Sequence, residues 1–154
     1  MLQLDAYIPG EYASNEDKIQ LYQEIENAKN VNDLKDIKKK VRDIYGKIPN
    51  EVQLLFKKRR IDILLSGEEF DDVSEYESAI EIKLSKKFSE INGIGNCLFE
   101  SLQSYLDKIQ VTYMQKVLKL RLKKEGNWIL DFETIVEVIS TIYKKLSKND
   151  NINI

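Results

Sequence analysis

The apolar positions of the chain change their spacing partway along it. From Leu21 to Leu64 they recur three and four residues apart, the period of helices that bury one face. Leu21, Ile25 and Ala28 share a face with Tyr22 beside them; Ser14 offers the N-cap, and Asp17 completes a weak capping box. Leu34, Ile37, Val41 and Ile44 predict a second helix, which starts at an Asn32 cap and stops at Gly46 in a left-handed cap conformation. Val52, Leu55, Phe56, Ile63 and Leu64 predict a third. It has Asn50 as N-cap, Gln53 in the third position of a capping box, and Gly67 past its end.

Beyond Gly67 the spacing shortens. "EEFDDVSEYE", Glu68 to Glu77, carries six acids and reads as a solvated loop. Ile80, Ile82 and Leu84 then alternate with Glu81 and Lys83, which is the period of a half-buried strand. A helix is predicted from about Ile94 to Leu106, with Leu98, Leu102 and Leu106 in line. Val111–Met114 and Val117–Lys123 read as two more strands, the second with Leu118, Leu120 and Leu122 on one face and Lys119, Arg121 and Lys123 on the other. Phe132, Ile135, Val136, Ile139, Ile142, Tyr143 and Leu146 predict a long amphipathic last helix, capped by Asp131. Residues 1–13 read as an extended lead-in broken at Pro9-Gly10, and residues 149–154 as a frayed tail.

This order predicts an α+β fold: N-terminal helices, then a small antiparallel sheet with helices packed on it, ending in an amphipathic helix. At 154 residues the chain fits a single domain over 1–154, and its 42% hydrophobic content can build a core. Net charge is −2, with 24 basic and 26 acidic residues interspersed, so strong direct DNA binding is not expected. No apolar run is long enough for a membrane span. The lone Cys97 excludes an intrachain disulfide and suits a reducing cytoplasm. With no histidine and no G-x-x-x-x-G-K-[ST], histidine-based triads, histidine metal sites and a Walker A phosphate loop are all excluded.

Each remaining motif has a plain structural reading. "NGIGNC", Asn92–Cys97, lacks the third glycine of a dinucleotide site and reads as a loop leading into a helix. "KKRR", Lys57–Arg60, spans a full helical turn, so its charges cannot converge on one ligand; it reads as a largely solvated face. Lys119, Arg121 and Lys123 read as the open side of a sheet or an edge-strand guard. Cys97 is expected to be buried, and Trp128 to lie before the last helix as a lid on the core. Read from the residues, the chain is an interaction or regulatory module, with a histidine-free hydrolase as the weaker alternative.

The stretch "RDIYGKIPNEVQLLF", Arg42–Phe56, combines a glycine stop, a proline and an asparagine restart into a tight helix–helix corner. Asp43-Ile44-Tyr45-Gly46-Lys47-Ile48-Pro49-Asn50 is similar to the pattern D-R-[FY]-G-x-[LI]-P-[DEN]. Upstream, Lys18 to Tyr22 is similar to a helix carrying R/K-x-x-x-Y, and Ala28 to Leu34 to a short linking motif with an acid before leucine. Over residues 4–66 the chain resembles the C-terminal domain of the bacterial transcription-repair coupling factors, the Mfd family. Three positions depart from that pattern: Gly10 and Lys40 stand where acids are common, and Ile44 stands where a basic residue is usual.

The resemblance implies a non-catalytic regulatory domain of a larger cytoplasmic protein, with further sequence upstream of Met1. That parent would be an ATP-dependent DNA translocase using ATP and Mg2+; this domain itself would hold no cofactor. The parent would displace stalled RNA polymerase and recruit UvrA for nucleotide excision repair. The domain would fold back on the parent's N-terminal UvrB-like region, mask the UvrA-binding surface and restrain the motor. The resemblance makes Asp43, Lys40 and Tyr45 candidates for that intramolecular interface, with Gly46, Pro49 and Asn50 as the structural turn.

Overall fold

The computed structural model of the chain describes residues 6–152. The chain, expected as one domain, divides into two compact units at the Leu64/Leu65 boundary.

The first unit is helical. Ser14 accepts the Asp17 N–H at 3.2 Å and opens α1 (Asn15–Asn27). Asn30, not Asn32, caps α2 (Val31–Tyr45): its Oδ1 accepts the Asp33 N–H at 2.8 Å from extended backbone, whereas Asn32 is already helical. The α3 start also differs from expectation. Asn50 is the first helical residue of α3 (Asn50–Leu65) and is not its cap. The Pro49 carbonyl accepts the N–H groups of Val52 and Gln53 at 3.1 and 2.9 Å, and the Gln53 side chain donates to the Ile48 carbonyl at 3.0 Å. Proline carries no N–H, so nothing at this end is orphaned by its position. The core joins Leu21, Ile25 and Ala28 of the α1 stretch to Leu34 and Val41 of α2 and Val52 and Phe56 of α3, with Ile8 and Ile48 closing it. Ile8 is held by its N–H, which donates to the Tyr22 hydroxyl at 2.8 Å. At the end of α1 the Arg59 guanidinium donates to the Ala28 carbonyl at 3.0 Å, placing a cation where the helix dipole favours one. Of the expected lead-in, residues 1–5 lie outside the described residues, 6–9 have no regular structure, and 10–12 form a turn.

The second unit is built on a sheet. The acidic stretch expected as a loop contains β1 (Phe70–Glu75), which pairs antiparallel with β2 (Ala79–Leu84). Its alternation is masked by the acids and by a register irregularity between Phe70 and Asp72. Ser85 caps a short α4 (Lys86–Ser89), which was not predicted. The helix expected over 94–106 is shorter. α5 (Ile94–Ser101) ends at Leu102, a 3-10 turn covers Gln103–Tyr105, and Leu106 is exposed. β3 (Ile109–Met114) and β4 (Val117–Lys123) form a hairpin across Gln115 and Lys116, both at positive φ as a two-residue turn requires. The sheet order is β1-β2-β4-β3, all antiparallel. Ile80 and Ile82 register with Leu122 and Leu120 on the buried face.

The last helix, α6 (Trp128–Ile152), supplies Phe132, Ile135, Val136 and Ile139 to the core and packs on β4. Asp131 lies inside its first turn and does not cap it: the Asp131 N–H bonds to the Asn127 carbonyl at 3.2 Å, and its carboxylate meets Lys108 at 3.3 Å. Trp128 begins the helix, with the Lys124 ammonium 4.8 Å from its ring centre. The helix runs to Ile152, through most of the stretch expected as frayed; residues 153–154 lie outside the described residues.

Candidate functional site

The corner between α2 and α3 rests on three residues. Gly46 has φ 80° and ψ −139°, the mirror image of extended backbone, and not the left-handed helical cap expected. Glycine alone adopts that region without strain. Its N–H donates to the Arg42 carbonyl at 2.8 Å. Ile48 is buried and plugs the core between Gly46 and Pro49. Asn50 is exposed and holds no cap, so its place in the turn is only positional.

Around this corner the candidate interface residues separate. Tyr45 packs its ring on Tyr12, centres 5.1 Å apart. Lys40 meets Glu24 of α1 at 3.5 Å, and the Gln20 amide donates to the same Glu24 oxygen at 3.4 Å. These side chains, with Asp17 and Ile44, line a cleft of about 120 Å³ along the α1–α2 seam. A wider depression of about 480 Å³ continues from Gln20 and Glu24 to Asp33 and Asp36. The seam is therefore acidic. Burial raises the Tyr45 phenol, and the Asp17 carboxylate that it bonds and Glu24 raise it further, so it stays a neutral donor. Asp43 does not line this cleft; it is exposed beside it and makes no ion pair among the described residues.

Two apolar side chains on these helices are exposed. Ile44, expected in the core, is 60% exposed, as is Ile19. Tyr45 lies four residues after Val41 and takes the inward position, because Tyr12 from the lead-in is there to receive its ring. Asp17 was read from the sequence only as a capping residue and Glu24 was not singled out; the α1–α2 pairing sets both against Lys40 and Tyr45.

The other motifs fall elsewhere. The "KKRR" side chains are half-buried, and Arg59 is tied to α1. Lys119, Arg121 and Lys123 do not guard an edge, since β4 is an internal strand; Glu81 takes Arg121 at 2.9 Å and Lys119 at 3.9 Å. Cys97 is half-buried, not buried, and lines an open groove of about 450 Å³ with Val138, Ile142 and Leu146. In the acidic stretch, the Lys87 ammonium and the Tyr143 hydroxyl bond Glu68 and hold its carboxyl below the ordinary value. Burial pushes the Glu69 carboxyl above it. Gly93 leads into α5 at φ 77°, with no side chain capping the helix.

The family model described as the TRCF domain matches residues 2–92. The transcription-repair-coupling factor of Staphylococcus aureus (strain USA300) is 28% identical over 139 residues, covering 90% of this chain and 12% of that protein. That of Staphylococcus haemolyticus (strain JCSC1435) is 27% identical over the same length. The chain thus spans about 12% of the length of these relatives. A crystal structure of the C-terminal domain of transcription-repair coupling factor superposes with a TM-score of 0.74 at 18% identity, covering 97% of this chain and 92% of that one. The family model covers more than half of the chain, the α1–α2 seam and the glycine–proline corner included, and the chain therefore belongs to the TRCF domain family.

Proposed function

We propose that the chain is the regulatory C-terminal module of a transcription-repair coupling factor and has no chemistry of its own. In this reading the parent is a cytoplasmic ATP-dependent DNA translocase that displaces stalled RNA polymerase and recruits UvrA. The module docks on the UvrB-like region of the same parent and masks the UvrA-binding surface. Direct DNA binding is weak, and ATP and Mg2+ belong to the parent's motor alone. Among the described residues no helix is long and apolar enough to cross a membrane.

The observation that carries the reading is the α1–α2 surface of a chain in this family. It sets exposed Asp43 next in the chain to Ile44, an exposed apolar residue that lines the acidic cleft. A reversible mask needs a modest interface, partly polar and partly apolar, that opens when the polymerase is engaged. Carboxylates here favour a cationic partner surface, and Asp43 stands near a helix C-terminus, where the dipole does not favour an acid.

The test is Asp43→Arg in the full-length parent. Charge reversal across a docked pair costs on the order of 2–5 kcal/mol when the contact is desolvated, and less when it stays at the rim. UvrA affinity of the free parent rises, while the melting temperature of the isolated domain is unchanged. Unchanged UvrA affinity overturns the assignment of Asp43 to the masking surface.

A further inference from the structure

We propose that the outer edge of β3 accepts an extended polypeptide segment in which apolar and acidic residues alternate. This inference concerns the second unit and does not depend on masking by the α1–α2 surface.

The backbone supplies the docking groups. β3 is the last strand of the sheet order. In a two-residue hairpin the residues flanking the turn, Met114 and Val117, exchange hydrogen bonds. Gln110 and Thr112 therefore also point their N–H and C=O groups at β4, and the Lys123 N–H bond to the Lys108 carbonyl at 3.0 Å keeps the same phase. Ile109, Val111 and Tyr113 are left with their backbone groups directed outward, as three donor–acceptor pairs on the edge.

The two edges of the sheet are treated differently. β1 carries Asp71, Asp72 and Glu75 and is broken by its register irregularity, both of which discourage strand addition. β3 reads Ile-Gln-Val-Thr-Tyr-Met, with no charge, proline or glycine. Tyr113 and Met114 are 61% and 71% exposed, and Leu106, just before the strand, is 40% exposed. An edge left this open is a template for pairing.

Charge chooses the occupant. On the open face, Thr112 registers with Lys119 and Gln110 with Arg121, and Lys123 follows. Glu81 serves both Lys119 and Arg121, so this column keeps a positive excess. An added strand lies two spacings of about 4.8 Å from β4. Glutamate or aspartate on its open face then reaches Lys119 across the Thr112 side chain, while Lys123 adds positive charge at the end of the column. On the other face, apolar residues lie beside Ile109, Val111 and Tyr113. A second copy of β3 is a poorer occupant: antiparallel self-pairing about Val111 sets Ile109 against Tyr113 and Gln110 against Thr112, and β3 itself carries no acid for the open-face column.

The test uses the whole chain and a short acetylated, amidated peptide of alternating valine and glutamate. Amide exchange at Ile109, Val111 and Tyr113 should slow at least about tenfold on saturation, while Gln110, Thr112 and Met114 stay as they were. Val111→Pro removes one outward donor without touching the β4 ladder and should weaken binding about tenfold. If that variant does not fold, the exchange pattern of the unaltered chain decides the matter. Lys119→Glu with Lys123→Glu should weaken this peptide, and a valine–lysine peptide should bind the unaltered chain more weakly. Protection that ignores the odd–even alternation, equal binding of both peptides, or dimerisation through β3 without peptide would each overturn the proposal.

Discussion

The two units solve the same problem with different materials. The first holds itself together mostly with apolar plugs and local caps. Ile8 and Ile48 close its core from loops, and its helix caps join near neighbours, Ser14 to Asp17 and Asn30 to Asp33. The Lys40–Glu24 ion pair in it is exposed, with side chains 58% and 30% accessible, and such pairs contribute little. The second unit also pins distant segments with polar contacts, and its Lys124–Glu75 pair is less exposed than Arg121–Glu81 or Lys87–Glu68. Lys124 meets Glu75 at 2.8 Å with both side chains about 15% accessible, Arg121 meets Glu81 across two strands, and Tyr143 donates to Glu68 from the far end of the chain. Ser89 donates to the Ser85 carbonyl and accepts the Leu118 N–H, which lies beyond the last registered β2–β4 pair. A helical unit satisfies its backbone locally and has only side chains left to place. A sheet satisfies its backbone across the chain and needs its edges and ends managed.

The strongest challenge to this contrast is Phe132→Ala. Phe132 is fully buried in the second unit, and its truncation should cost about 3–5 kcal/mol, read from denaturant unfolding. Residue-resolved amide exchange should show the loss in β2, β4 and α6. Equal loss of protection in α1 and α2 would mean that the two units unfold as one, and the comparison would break.

Gly46→Ala probes the first unit from the other side. A Cβ at Gly46 meets nothing within 4 Å, so the cost is backbone strain alone, roughly 1–3 kcal/mol. Gly95→Ala has the same open surroundings within α5 and should instead stabilise by about 0.4–1 kcal/mol. Opposite shifts in melting temperature would locate the strain at the corner; a neutral Gly46→Ala would remove it.

The smallest effect is a pH slope in the second unit. Burial raises the Glu69 carboxyl above its ordinary value, so between the ordinary and raised values the folded chain binds more protons than the unfolded one. Stability from this group is present at low pH and lost as pH rises through the raised value. Glu68 has the opposite sign, since Lys87 and Tyr143 favour its charged form; its contribution disappears as pH falls below the ordinary carboxylate range. In Glu69→Gln the first slope should vanish, so the unaltered chain gains on the variant as pH falls from neutral towards about 4. A constant difference across that range would assign no linkage to Glu69.

Helix periodicity was legible in the sequence wherever a helix had one wet face, as in α1, most of α2, and α6. The strands β2 and β4 were legible for the same reason, because alternation of aliphatic and charged residues has no other common reading. The corner was legible through its glycine and proline, whose backbone limits are intrinsic to those residues. The α+β class and the family resemblance over residues 4–66 rested on these features alone.

Tertiary structure decided whatever depended on a distant partner. β1 became a strand because β2 offered it a ladder, although its acids read as a loop. Ile44 turned outward because Tyr12 received Tyr45. Asp131 was released from capping because α6 begins at Trp128, four residues before the expected Phe132, and it met Lys108 instead. The acidic cleft joins residues of two helices, and the open β3 edge exists only because the strand order places β4 inside. Periodicity records which face of a segment is buried; it carries no record of what buries it, and that choice belongs to long-range packing.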